Sequence, residues 1–187
     1  MPFLLAGVSC TLFDTREPEP PSQAGSDFTP PNLPSDVISN LKNAIAQKNA
    51  LNYMRSFADT TTIDEMFRFS PSATARTAYP GVFDDWDRIK EENHIKDLIS
   101  HRPTLASYSN LITSGDQYIP QGDATIFTSG YTFSFDTDDP AFPSTARGRL
   151  QFIIKRDRNS FWVITEWTDS PEIDSVFTWS HFKGRFR

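Results

Sequence analysis

From residue 105 onward the polar and apolar side chains of this sequence alternate with a period of two. The alternation occupies four consecutive segments, residues 105–113, 124–135, 146–157 and 161–168. A period of two is typical of strands that bury one face. Residues 114–116 (Ser-Gly-Asp) and 157–160 (Asp-Arg-Asn-Ser) are turn signals between segments, because Gly and Asn tolerate positive φ. Four such strands in succession predict an antiparallel meander.

Helical periodicity comes before the meander. The apolar residues of 37–45 recur at helical spacing, which predicts a helix from Ser35 or Asp36 to Asn49. The sequence further predicts a short helix over 51–58, a strand over 65–70, a loop over 71–81 and a helix from Asp84 or Asp85 to Ser100. Helices followed by a meander are typical of the α+β class. We therefore predict a curved antiparallel sheet wrapped around N-terminal helices that cover its apolar face.

A short apolar run opens the chain and ends at Cys10, its only cysteine. A lipoprotein export signal ends at the cysteine that becomes acylated, so residues 1–10 are interpreted as the end of such a signal and Cys10 as the lipid attachment site. Gly7 stands where Leu is usual, and the missing basic start predicts that the signal begins upstream of Met1. The alternative is an apolar N-terminus with an incidental cysteine.

Residues 11–34 are rich in proline and poor in apolar side chains. This composition predicts a disordered tether, partly in polyproline form, followed by one domain over 35–187. A globular domain held on a membrane by a lipid needs a flexible spacer. The tether therefore favours a bacterial envelope lipoprotein, anchored to the membrane on its periplasmic side.

Several other classes of protein are disfavoured. The net charge of −6 argues against nucleic acid as a partner, and no apolar run is long enough to cross a bilayer. The three histidines lack the spacing of a metal site, and there is no Gly-x-Ser-x-Gly motif. Asp136, Asp138 and Asp139 are interpreted as a solvated acidic turn rather than a calcium site. We predict neither a metal nor a cofactor.

Acid–base chemistry would require a carboxylate or histidine in an apolar cavity, where burial moves its pKa toward neutrality. The candidates are Glu166 on the last strand and Glu92, His94 and Asp97 on the third predicted helix. We expect His94 to be partly exposed on the polar flank of that helix. Glu166 is expected to face outward.

An aromatic stripe along the strands is the candidate lining of a pocket for a small apolar ligand. It comprises Phe127, Tyr131, Phe133, Phe152 and Trp162. Curled sheets of this kind often leave a cavity at the open end. The alternative, which we favour, is that the stripe is core.

The order of elements, together with two stretches, resembles the nuclear transport factor 2-like superfamily. The stretches are DVISNLKNAIAQKNALNYMRSFADTTTIDEMF and the closing FWVITEWTD, and the resemblance covers about residues 35–180. Within the superfamily the chain looks most like uncharacterised bacterial lipoproteins with a proline-rich leader and a C-terminal tryptophan, here in FTWS. The resemblance implies a cone in which a curved sheet wraps around a long helix.

The superfamily includes isomerases, dehydratases, cyclases and transport adaptors, so the resemblance does not assign a reaction. No complete Tyr/Asp pair or His/Asp dyad of its enzymes is found in the sequence, which disfavours an enzyme. We therefore expect non-catalytic binding or scaffolding, through the apolar mouth of the cone or the exposed sheet face that commonly forms homodimers in this superfamily. The alternative is an isomerase or dehydratase-type enzyme that uses a pocket carboxylate or histidine.

Overall fold

A computed structural model describes residues 28–103, 107–172 and 177–187. These residues form five helices, which are α1 Pro34–Ala46, α2 Ala50–Met54, α3 Ala73–Ala78, α4 Arg88–Ser100 and α5 Trp179–Arg185. They also form five strands, which are β1 Arg68–Ser70, β2 Ser109–Gln121, β3 Ala124–Phe135, β4 Thr145–Arg156 and β5 Trp162–Ser170. The α+β class is confirmed.

The five strands form a single sheet in the order β1-β5-β4-β3-β2. Strands β2 to β5 are an antiparallel meander, as predicted. The short strand β1 lies parallel to β5, with Arg68 opposite Glu166. β1 can pair in parallel with β5 because a long stretch of chain connects the two strands. A short hairpin connection would make them antiparallel.

Side chains on β3 alternate between the two faces of the sheet. Phe127, Tyr131 and Phe133 are buried against the helices, whereas Thr128 and Thr132 lie on the outer face. Helix α1 packs across β2 and β5, and α5 packs against α3 and β4. The core therefore lies between the concave face of the sheet and the helices.

Strand β2 is longer than predicted. The stretch at Ser114 to Asp116, predicted as a turn, lies inside the strand, and the register with β3 shifts between Ser114 and Gln117. Gly115 has a φ of 69° there. A glycine at positive φ suits a β-bulge as well as a turn, so the same local signal fits both outcomes.

The helices begin at other residues than predicted. Leu33 precedes α1, and its amide donates to the Asp36 carboxylate at 2.8 Å. Asp87, rather than Asp84 or Asp85, caps α4 by accepting from the Lys90 amide at 2.9 Å. For α4 three nearby aspartates were available as caps, and only the packing of the helix selects one; α1 begins at Pro34 after a residue without a capping side chain.

Two short helices were not predicted. α3 occupies part of the predicted loop 71–81, and the Ser72 side chain caps it. α5 follows Thr178, whose amide donates to Nδ1 of His181 at 3.1 Å. Helices of six or seven residues are too short to display a clear period in the sequence.

The segment 28–33, which we call the strap, is attached to the domain. Asn40 accepts from the Thr29 amide at 2.9 Å and donates to the Thr29 carbonyl at 2.6 Å. The Trp162 amide donates to the Pro31 carbonyl at 2.9 Å. The end of the predicted tether is therefore part of the folded domain. Cys10, the predicted signal end 1–10 and tether residues 11–27 lie outside the described residues.

Candidate functional site

Helix α5 occupies the concave side of the sheet, for which the sequence left open a ligand pocket and favoured a packed core. Trp179, Phe182 and Phe186 are fully buried. The ring of Trp179 stacks on Phe133 with a centroid distance of 4.0 Å, and Phe182 packs edge-on against Phe133 at 5.0 Å. The chain's own C-terminal aromatic residues therefore fill the interior of the cone.

The five residues of the predicted aromatic stripe do not line one pocket. Phe127, Tyr131, Phe133 and Phe152 are buried members of the main core. Trp162 is half-buried at the start of β5, and its indole Nε1 donates to the carbonyl of Asn32 in the strap at 3.1 Å. The first four residues are thus core, and the fifth supports the strap.

A buried ion pair lies inside the cone. The Lys183 ammonium donates to the Glu91 carboxylate, and both side chains are fully buried. Tyr53 donates its hydroxyl to Oε1 of Glu91 at 2.6 Å, and Trp86 donates Nε1 to Oε2 at 2.8 Å. The ammonium also lies 4.0 Å from the ring centroid of Trp167. These five residues are called the Lys183 cluster below.

The pKa values in this cluster favour the ionised pair. Burial lowers the pKa of Lys183 to about 8, and the charge of Glu91 opposes that effect. Burial alone would raise the pKa of Glu91, but the charge of Lys183 and the hydrogen bonds from Lys183 and Tyr53 bring it below its ordinary value. Both groups are therefore charged at neutral pH, and each satisfies the other.

His94 is fully buried, so the expectation of partial exposure was wrong. Its Nδ1 donates to the Phe186 carbonyl oxygen at 2.7 Å, and its Nε2 has no partner among the described residues. Burial, with a smaller effect of Lys183, lowers the pKa of His94 to about 3. The polar flank of α4 is buried because α5, which the sequence did not predict, covers it.

The other predicted acid–base residues lie away from the interior. Glu166 is exposed on the outer face of the sheet, paired in register with Ile153. Glu92 is half-buried in an ion pair with Lys96. Asp97 is also half-buried. The four candidates therefore do not converge on one site.

A second buried polar cluster joins the sheet to the start of α5. Tyr131 donates its hydroxyl to Oδ1 of Asp169 at 2.7 Å and accepts from the Trp179 amide at 2.7 Å. The Ser180 amide donates to Oδ2 of Asp169 at 2.8 Å. Burial raises the pKa of Asp169 above its ordinary value, although hydrogen bonds from Ser180 and Tyr131 oppose the shift.

The sequence reasoning missed this Tyr–Asp pair, although the signal for it was present. Asp169 follows Trp167 by two residues and therefore shares its inward face, but the predicted strand ended at residue 168. Both oxygens of the carboxylate accept hydrogen bonds, and Ser180 of α5 donates both its amide and its hydroxyl to Oδ2. In this arrangement the pair fixes the position of α5.

No group of three or more His, Cys, Asp or Glu side chains within residues 28–103, 107–172 and 177–187 is placed to hold a metal ion. Two side chains of the acidic turn bind other parts of the domain. Asp136 accepts from the Tyr108 amide at 2.7 Å, and Asp139 forms an ion pair with Arg185 at 3.3 Å. Among the same residues, no helix has the length and apolar character needed to cross a bilayer.

No protein-family model matches the chain, and no curated protein matches it. Solved structures do match. A nuclear transport factor 2-like protein of unknown function in nutrient uptake from Rhodospirillum rubrum superposes with a TM-score of 0.55 at 13% identity, covering 74% of this chain and 98% of its own. A provisionally assigned dehydratase of the same family from Streptomyces avermitilis gives 0.54 at 8% identity, covering 73% and 91%.

A third match is a provisionally assigned scytalone dehydratase from Novosphingobium aromaticivorans, with a TM-score of 0.52 at 7% identity over 72% of this chain and 78% of its own. Identities this low establish the fold alone. The described chain is an α+β cone with a filled interior. Its fold is the nuclear transport factor 2-like fold, as the resemblance in the sequence implied.

Proposed function

We propose that this chain is a bacterial envelope lipoprotein, anchored through an acylated Cys10 on the periplasmic side of the membrane, whose domain binds or scaffolds without catalysis. The observation that supports the non-catalytic role is the filled cone. Trp179 stacks on Phe133, and Lys183 is paired with Glu91, in the space where a substrate would lie. A general acid or base must reach its substrate, and these groups reach only one another.

The protonation state of His94 supports the same role. A pKa of about 3 leaves the ring neutral and very weakly basic at physiological pH, and its Nδ1–H is already donated to Phe186. A useful general base has a pKa near the working pH. His94 is therefore a structural residue in this proposal.

The strap supports the anchored arrangement. It fixes the chain to the domain from residue 28 onward, so residues 11–27 form the spacer between the lipid and the domain. Such a spacer lets the domain contact partners in the envelope while it stays tethered.

Lipid attachment is tested by expressing the gene with its upstream codons in a bacterial host and following palmitate labelling and membrane fractionation. We expect label and membrane association in the wild type and in the control Ser9→Ala, and neither in Cys10→Ala. Equal labelling of wild type and Cys10→Ala, or a wild type found only in the soluble fraction, would overturn the anchor.

The proposal also includes a homodimer through the outer face of the sheet. Ile119, Ile126 and Ile153 lie side by side in one register row on this face. Association through the row would remove apolar surface from water. Sedimentation of wild type and Ile126→Lys tests this, with Ile89→Lys on α4 as the control. A monomeric wild type would remove the dimer from the proposal.

An isomerase or dehydratase-type enzyme is the second candidate. The observation in its favour is that two tyrosine–carboxylate pairs, Tyr53–Glu91 and Tyr131–Asp169, lie inside the cone. Catalysis would require α5 to leave the interior. Native mass spectrometry of the protein purified from its host tests this alternative, because a small molecule retained in the cone would support it.

A further inference from the structure

A cavity outside the cone lies between the strap, α2 and the loop that joins β4 to β5. Its volume is about 270 Å³. The apolar side chains that line it include Phe28, Met54, Phe57 and Val163. We call it the strap pocket. No residue of the predicted aromatic stripe lines it, so it is distinct from the candidate pocket considered for the cone.

The two carboxylates at this pocket are already used by their own loops. Asp59 accepts from the amide and the hydroxyl of Thr61 at 2.9 and 2.8 Å. Asp157 accepts from the amides of Asn159 and Phe161 at 2.8 and 2.9 Å. These contacts hold the local turns, and the Oδ2 oxygen of Asp59, which they leave unused, faces Arg88 at 3.4 Å.

The two arginines at the pocket have donors to spare. The Arg88 guanidinium lies 3.4 Å from Asp59 and 3.9 Å from Glu92. Charge-assisted hydrogen bonds are shorter, at about 2.7 to 2.9 Å. The Nε of Arg88 is buried and has no partner among the described residues. The acceptors of the protein therefore leave the Arg88 guanidinium incompletely paired, and its terminal N–H groups remain able to donate to a ligand in the pocket.

Arg55 presents its guanidinium in a different way. The group lies 3.7 Å from the ring centroid of Phe28, which also lines the pocket, and Nη1 is 3.5 Å from Oδ1 of Asn52. Stacking on a ring uses the face of a guanidinium and leaves its in-plane N–H groups free to bind an oxyanion. Both arginines line the pocket.

We infer that the strap pocket binds a small free amphiphile with a carboxylate head and an apolar tail. Arg88 and Arg55 donate to the carboxylate, and the tail lies against Phe57 and Val163. Ligand pockets usually measure about 300 to 1,000 Å³, so a cavity of about 270 Å³, just below that range, selects a short acyl chain or a single ring. The inference rests on the proposed binding role, but it does not depend on the lipid anchor.

Isothermal titration calorimetry of the full non-acylated chain at pH 7 tests the inference, with octanoate, octanol and octylamine as probes. We expect saturable octanoate binding and at least tenfold weaker binding of octanol and octylamine. Arg88→Met should weaken octanoate binding about tenfold, since a hydrogen bond between two charged groups is lost. Arg76→Met, an exposed arginine on α3, is the matched control and should bind as the wild type does.

Arg55→Met provides a second variant in case Arg88→Met does not fold, because Arg55 is exposed. It should also weaken octanoate binding by several fold. The inference is overturned if octanoate does not saturate the wild type at millimolar concentration, if octanol or octylamine binds equally well, or if both folded variants keep wild-type affinity. Because palmitate labelling does not depend on this pocket, failure here is distinguishable from failure of the lipid anchor.

Discussion

Lys183 and Glu91 form an ion pair in the interior of the cone, and neither side chain has any exposed surface. Lys183 belongs to α5 and Glu91 to α4, so the pair connects the C-terminal helix to the helix that it covers. Removing either charge leaves the other unpaired in a medium of low polarity, which is strongly unfavourable. The pair is therefore a sensitive test of whether α5 occupies the cone in solution.

We predict that Lys183→Met lowers the free energy of unfolding by about 3 to 5 kcal/mol, because Glu91 stays buried without its cation. The double variant Lys183→Met/Glu91→Gln should lose less than the sum of the two single losses. Urea denaturation followed by tryptophan fluorescence measures all three. The control Arg185→Met removes an exposed cation from the same helix and should cost no more than about 1 kcal/mol. Strictly additive losses would show that the two side chains are not paired.

The low pKa of His94 predicts that the free energy of unfolding decreases as the pH falls. Its folded pKa of about 3 is below the ordinary value of 6.5, so the unfolded chain takes up the proton first as the pH falls. Full stability is therefore present above about pH 6.5 and is lost toward pH 3, by up to about 1.4 kcal/mol per pH unit.

Urea denaturation between pH 7 and pH 4 checks this dependence. His94→Asn keeps a donor for the Phe186 carbonyl but cannot titrate, so its unfolding free energy should fall less steeply with pH. The opposite contribution of Asp169, whose pKa is raised, is common to both proteins and cancels in the comparison. Parallel curves for wild type and variant would contradict the prediction.

Gly184 of α5 lies directly against the ring of Tyr79, and a Cβ atom at this position would overlap the ring. We predict that Gly184→Ala lowers the unfolding free energy by about 1 to 3 kcal/mol through overpacking. In a Tyr79→Ala background the same change should stabilise by about 0.5 to 1 kcal/mol, because alanine is the better helix residue. Thermal or urea unfolding of the wild type, the two single variants and the double variant shows whether Gly184→Ala destabilises in one background and stabilises in the other. An equal loss in both backgrounds would contradict the contact.

The strap is attached through Asn40, which makes two hydrogen bonds to Thr29. We predict that Asn40→Ala releases the strap and speeds amide exchange at Thr29 by about tenfold or more, since each hydrogen bond contributes about 1 kcal/mol. Hydrogen exchange measured by mass spectrometry checks this, with the exposed Asn43→Ala on the same helix as control. Faster exchange throughout β3 would instead indicate that the whole domain is destabilised.

Local patterns in the sequence predicted much of the fold. The period of two placed β3 and the inward position of Phe127 and Phe133, and helical spacing placed the core of α1. They predicted the candidate site far less well. His94 was expected on a polar flank because its surroundings depend on α5, a helix of seven residues without a readable period.

The sequence by itself determined the α+β order, the meander and the shared face of the aromatic side chains on β3, because these follow from side-chain alternation within each segment; the inward face of β5 was left open. It also predicts the lipid attachment at Cys10, which lies outside the described residues. Only the tertiary structure decided that α5 fills the cone, that Lys183 meets Glu91 and that Tyr131 meets Asp169. Those pairings join residues far apart in the chain, and their partners are chosen by packing in three dimensions and not by any local pattern.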